Sequence, residues 1–161
     1  MLWAAAYLGS CLGINLAYSW APDQDMLWSA CIGAIFVLRD LVQARIGHWS
    51  LVPMAVACVL SWALGDPAVA VASTAAFAVG GALDWIVFTL SRLPLRARVL
   101  ASGACSVPAD TAVFCLMLGL HDPAMWGVTI ASKMAGVALS CAAIVGRQDP
   151  ARHPARARAT A

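Results

Sequence analysis

Residues 99–145 read VLASGACSVPADTAVFCLMLGLHDPAMWGVTIASKMAGVALSCAAIV, and this stretch decides the fold. It holds two apolar runs, 99–118 and 124–145, each close to the ~20 residues that carry a helix across a bilayer core. Between them stands Gly119-Leu-His121-Asp122-Pro123, a break built from a helix terminator, charge and proline. Each run carries one charge near its middle, Asp110 in the first and Lys133 in the second. At a rise of about 1.5 Å per residue, Asp110 lies roughly 18 Å into its helix and Lys133 at a matching depth in the next. Folding at Asp122 therefore brings Asp110 opposite Lys133, and a buried ion pair is expected.

The same pattern runs outward through the chain. Four further apolar runs cover residues 2–18, 26–44, 51–64 and 68–90, separated by breaks that carry Gly, Pro or charge. The whole chain has 161 residues, is 62% hydrophobic and 11% charged, and has a mean hydropathy of +0.81. A soluble domain is nearer ~45–50% apolar and ~25% charged. The expected fold is an all-α membrane protein with six transmembrane helices in residues 1–146. Residues 147–161, rich in Arg, Ala and Pro, are expected to be a disordered basic cytoplasmic tail.

Loop charges set the expected topology. The segments after the second and fourth runs, with the tail, carry Arg45, Arg92, Arg96, Arg98, Arg147, Arg152, Arg156 and Arg158. The segments after the first, third and fifth carry Asp23, Asp25, Asp66 and Asp122 and no Lys or Arg. Positive loops face the cytoplasm, so both termini are expected inside, in a bacterial inner membrane. Trp3, Trp20, Trp28, Trp49, Trp62 and Trp126 stand near run ends, where an aromatic belt belongs; Trp85 reads as deep in a span. The first run has no preceding Lys or Arg, so it reads as a retained helix and not as a secretory signal.

Several classes of function are disfavoured. A formal charge of +2 gives no basis for nucleic-acid binding. The six cysteines form no CxxC pair and all lie in apolar runs, so neither a disulfide framework nor a metal site is expected. No P-loop, HExxH or GxSxG motif occurs, and His48, His121 and His153 all lie outside the runs. The chain reads as a carrier without cofactor or catalytic residues. Its partners are a small-molecule substrate, the lipid bilayer and, as a candidate, a second copy of itself.

The informative residues are the charges inside the runs: Arg39, Asp40, Asp84, Asp110 and Lys133. Each costs about 2.5–3.5 kcal/mol near the bilayer centre unless paired or turned into the bundle. Arg39 can snorkel to the inner interface, and Asp40 can pair with Arg39 or Arg45. Asp84 has no basic residue one turn away in its own helix, which makes it the leading ligand contact. Asn15 and Thr111 are further polar candidates. Pro108 can free a backbone carbonyl or simply kink its helix. Gly9 with Gly13, the small residues 75–81, and Gly136 with Ser140 read as close-packing positions; Gly80-Gly81 can also loosen the helix beside Asp84.

Three segments together resemble the VUT family of vitamin-uptake and queuosine-precursor transporters. They are Phe36-Val-Leu-Arg-Asp40-Leu-Val-Gln-Ala-Arg-Ile-Gly47, Gly80-Gly-Ala-Leu-Asp84-Trp-Ile-Val-Phe88, and Ser106-Val-Pro-Ala-Asp110-Thr111-Ala-Val-Phe114, followed by Lys133. Asn15 matches an Asn of the first helix. The resemblance spans about residues 10–145. Against that pattern, Gly81 stands where a Gln is expected, Val107 where an Asn is expected, and Arg39 where a small polar residue is usual.

The resemblance implies a six-helix bundle similar to the substrate-binding subunits of ECF-type importers. It also implies import of 7-cyano- or 7-aminomethyl-7-deazaguanine. The substrate contacts would be Asp84, Asp110, Asn15, Trp85 and Asp40, with Lys133 and Asp110 as a gating ion pair. A buried carboxylate accepts two parallel N–H donors from the amidine edge of such a base, and Trp85 or Phe88 can stack on its ring. Two alternatives stand beside the carrier: a binding subunit that needs a coupling protein and ATPases, and a small membrane enzyme acting on lipid. A non-catalytic scaffold is a third.

Overall fold

The computed structural model describes residues 2–21, 24–64 and 67–145. These form six α-helices: α1 (Leu2–Trp20), α2 (Asp25–Ile46), α3 (Leu51–Leu64), α4 (Pro67–Leu90), α5 (Leu95–Met117) and α6 (Pro123–Ser140). A short 3-10 turn, Gly47–Ser50, joins α2 to α3, and α6 runs on into a π turn at Cys141–Val145. The expected tail at 147–161 and the acids Asp23 and Asp66 lie outside the described residues.

Three stretches are long and apolar enough to cross a membrane: Val69–Leu90, Leu95–Met117 and Pro123–Val145. The chain is thus a multi-pass membrane protein. The other helices differ for visible reasons. The apolar part of α1 is Leu2–Ala17. Within α2, 22 residues long, stand Asp25, Arg39, Asp40 and Arg45. The 14 residues of α3 cover only about 21 Å.

Local chemistry sets the helix ends. Gly47 closes α2 at φ +62°, a conformation that suits a residue without Cβ. Asp122 caps α6, its carboxylate accepting the Ala124 N–H at 3.0 Å with Pro123 in the first turn. The fifth helix starts at Leu95 behind Pro94, four residues earlier than the charge pattern of Arg96 and Arg98 suggests. Both arginines fit into that first turn. Arg98 lays its guanidinium 4.7 Å from the Phe88 ring centroid.

The helices pack as a closed ring in the order α1, α3, α4, α5, α6, α2 and back to α1, with α2 also reaching across to α4 and α5. Glycines set the tightest crossings. A Cβ at Gly33 of α2 would overlap the Lys133 carbonyl oxygen, and one at Gly136 of α6 would overlap that of Ala30. A Cβ at Gly80 would fall 2.7 Å from that of Asp110, so α4 and α5 meet there backbone to side chain. By contrast, Gly9 and Gly13 of α1 are exposed and meet nothing within 4 Å. Their expected role in packing inside the bundle is not what the structure shows.

Two apolar clusters flank the polar interior. One joins Phe36, Val37 and Leu41 of α2 to Phe88, Val99, Val107, Val137 and Cys141. The other joins Tyr7 and Cys11 of α1 to Ile35, Val42 and Ala57, with the Tyr7 ring stacked 6.4 Å from Phe77. The bundle ends differ in charge. Arg45 lies over the Trp3 ring, His48 against Trp85, and Cys141 beside the Arg96 carbonyl, so Arg45, Arg92, Arg96 and Arg98 gather at one end. Asp25 and Asp122 stand at the other.

Candidate functional site

The site is built on one face of α5. Ser102, Ser106 and Asp110 recur every four residues and are all buried, which places them in a row with about 6 Å between steps. Each step receives a charged residue from a different helix. The Ser102 hydroxyl lies 2.8 Å from Asp40 Oδ2 of α2 and 3.0 Å from the Val99 carbonyl, and its one proton is shared between these acceptors. The Ser106 hydroxyl donates to Asp84 Oδ1 of α4 at 3.2 Å. Asp110 Oδ2 accepts from Lys133 Nζ of α6 at 2.5 Å, and the same ammonium donates to Thr111 Oγ1 at 3.1 Å.

Arg39 bridges the first two steps. Its side chain does not snorkel; it is 3% exposed and turns inward. One guanidinium nitrogen, Nη1, donates to the Gly81 carbonyl of α4 at 2.8 Å. The other, Nη2, lies 3.3 Å from Asp40 Oδ1 and forms an ion pair with Asp84 Oδ2. The cause is energetic. A buried carboxylate on α4 and a buried guanidinium on α2 each cost several kcal/mol alone, and the α2–α4 approach lets them cancel. Asp84 is therefore not unpaired, although nothing in its own helix partners it. Arg45 does not compete for Asp40, because it sits over Trp3.

The glycines beside Asp84 have a packing role. Through Gly80 and Gly81 α4 remains a continuous helix. A Cβ at Gly81 would come within 2.7 Å of Met54 Sδ and 3.3 Å of Arg39 Nη1. The absence of a side chain is what gives the guanidinium room to reach the Gly81 carbonyl. Two positions that depart from the resembled pattern, Arg39 and Gly81, thus touch each other. Pro108 also sits within an uninterrupted α5.

The remaining sequence candidates fall elsewhere. Asn15 donates from Nδ2 to the Cys11 carbonyl at 2.9 Å and to Ser61 Oγ at 3.1 Å, which ties α1 to α3 away from the charged row. Trp85 lies near the basic end, its ring 5.4 Å from that of His48, and its buried indole N–H has no hydrogen-bond partner. Phe88 is covered by Arg98. Gln43 joins this end of the site by donating to Thr89 Oγ1 at 2.8 Å and to the Trp85 carbonyl at 3.3 Å. Among the described residues, no three of His, Cys, Asp or Glu come together as a metal site.

No family model, curated protein or solved structure matches this chain.

The sequence reading missed Ser102 and Ser106. Their signal was their four-residue spacing to Asp110, a hydroxyl–hydroxyl–carboxylate row in the largely apolar middle of α5. A groove of about 320 Å³ lies between α1 and α2, lined by Ser10, Gly13, Ala17, Trp28 and Leu38 among others; it contains none of the charged residues.

Proposed function

We propose that this chain is a bacterial inner-membrane importer of a small planar base, with a 7-deazaguanine precursor of queuosine as its substrate. In this reading all six helices span the bilayer and both termini are cytoplasmic. The gathering of Arg45, Arg92, Arg96 and Arg98 at one end of the bundle supports that orientation. The chain performs no chemistry on its cargo.

One observation carries the reading. The buried Asp84 carboxylate accepts from Ser106 on one oxygen and forms an ion pair with the planar Arg39 guanidinium through the other, which has no hydrogen-bond partner. The amidine edge of a deazaguanine presents the same donors in the same plane, and a carboxylate binds such an edge through charge-assisted hydrogen bonds. Asp110 and Lys133, one step further along α5, supply an ion pair that can open and close with the transport cycle.

A second reading makes the chain the substrate-binding subunit of a larger importer. Gly9 and Gly13, exposed on α1 with open space around them, favour it, because small residues on an outer helix face let another helix approach closely.

The test measures queuosine in tRNA. The host lacks both precursor synthesis and its own importer, expresses this chain, and is fed each deazaguanine at low concentration. Restored queuosine identifies uptake and substrate. No restoration from a well-inserted chain refutes autonomous import, and co-purification of a coupling protein with ATPases would then support the second reading.

A further inference from the structure

Arg39 occupies the very carboxylate that the proposed ligand needs. Its head is shared between Asp84 on α4 and Asp40 on its own helix, and it also holds the Gly81 carbonyl. Both carboxylates are anchored from the far side by α5: Asp84 by the Ser106 hydroxyl, Asp40 by the Ser102 hydroxyl. If the guanidinium leaves Asp84, it keeps a partner in Asp40 one residue away, so its charge does not become uncompensated in the bilayer. One buried nitrogen of the head, Nε, has no hydrogen-bond partner. The head thus keeps one donor uncommitted while its two terminal nitrogens serve Asp84, Asp40 and the Gly81 carbonyl.

We propose that Arg39 is a displaceable stand-in for the ligand: it fills the Asp84 seat while the site is empty and retreats to Asp40 when a planar N–H donor edge takes its place. This deepens the importer reading and rests on it. The exchange has two effects. An empty site never holds a bare carboxylate that water or cations could follow through the bundle. Selectivity also becomes a competition, because a ligand must offer Asp84 and the Gly81 carbonyl as good a set of donors as a guanidinium does. A base with a single donor cannot displace it.

The experiment compares the full-length wild type with Arg39→Gln and with the double variant Arg39→Gln/Asp40→Asn, each purified in nanodiscs. The double variant removes one charge of each sign and so keeps the formal charge of the cluster if the single variant fails to fold. Two probes are used. The first is guanidinium chloride at millimolar concentration against matched sodium chloride, read as thermal stabilisation. The second is 7-aminomethyl-7-deazaguanine, read by calorimetry.

The expected result is that guanidinium stabilises the double variant but not the wild type, and that the deazaguanine binds the double variant at least about tenfold more tightly, a shift of about 1.4 kcal/mol. Equal affinity in both proteins with no guanidinium effect overturns the stand-in and leaves the importer reading intact. Binding to the wild type that is lost in the double variant also overturns it, since Arg39 would then contact the ligand directly. Guanidinium stabilisation without deazaguanine binding to any of the proteins supports Asp84 as a seat for planar cations and refutes the deazaguanine as cargo.

Discussion

Asp110 and Lys133 are 23 positions apart in sequence and 2.5 Å apart in the bundle, where they join α5 to α6. Removing one partner of such a buried pair costs about 3–5 kcal/mol, because the other charge is left without compensation. Replacing both with apolar residues of similar size is often neutral. Lys133→Met should therefore lower the thermal midpoint sharply, and Asp110→Leu/Lys133→Met should recover most of the loss. If the double variant is as inactive in uptake as Lys133→Met, the pair serves transport as well as stability. An unchanged midpoint in Lys133→Met would remove the pair from the stability argument.

Ser106 and Ser102 hold carboxylates through hydrogen bonds to charge, each contributing about 1.5–3 kcal/mol. Both Ser106→Ala and Ser102→Ala should destabilise to that extent. Their effects on ligand binding should differ. Ser106→Ala releases Asp84 and should weaken deazaguanine binding about tenfold or more, while Ser102→Ala acts on Asp40 and should weaken it less. Calorimetry on the two variants decides this, and equal losses would contradict the assignment of Asp84 as the ligand seat.

The glycines divide into two groups. Gly33→Ala or Gly136→Ala places a Cβ onto a backbone carbonyl of the opposing helix and must push α2 away from α6. Overpacking of this kind costs about 1–3 kcal/mol and sometimes more. Gly9→Ala and Gly13→Ala meet open space and should leave the stability of the isolated chain unchanged or slightly raised, since Ala favours helix over Gly by about 1 kcal/mol. Thermal unfolding of the four single variants is the check; a loss at Gly9 or Gly13 would mean that another surface covers α1.

His48 and His121 are exposed and stand at opposite ends of the bundle. With the six cysteines replaced by alanine, His48→Cys should react with a membrane-impermeant maleimide only in inverted vesicles. His121→Cys should react only in intact spheroplasts. Labelling of both from one side would refute the six-span topology.

Much of the helical framework was readable because each break carries Gly, Pro or charge, and depth counting alone matched Asp110 with Lys133. The start of α5 was misjudged because Arg96 and Arg98 read as loop, whereas a helix end at the membrane surface accommodates arginines whose stems lie on apolar neighbours such as Phe88. Arg39 with Asp84 was missed for a different reason. Nothing in helix four points to it, because the link depends on how closely α2 passes α4, and that distance is set by Gly81 and Met54, not by any periodicity. The surroundings of Trp85 and Asn15 depend on helix rotation, which a uniformly apolar run does not encode.

Chain order turns the charged row into a timetable for synthesis. Arg39 and Asp40 emerge together and lie 3.3 Å apart on one helix, so α2 leaves the ribosome already partly neutralised. Asp84 arrives two helices later, to an arginine already in place. Asp110 has to wait for Lys133 in the last helix. A nascent chain that stops before α6 thus leaves a lone carboxylate in the bilayer, at about 2.5–3.5 kcal/mol on insertion scales. Completion of translation is the event that removes it.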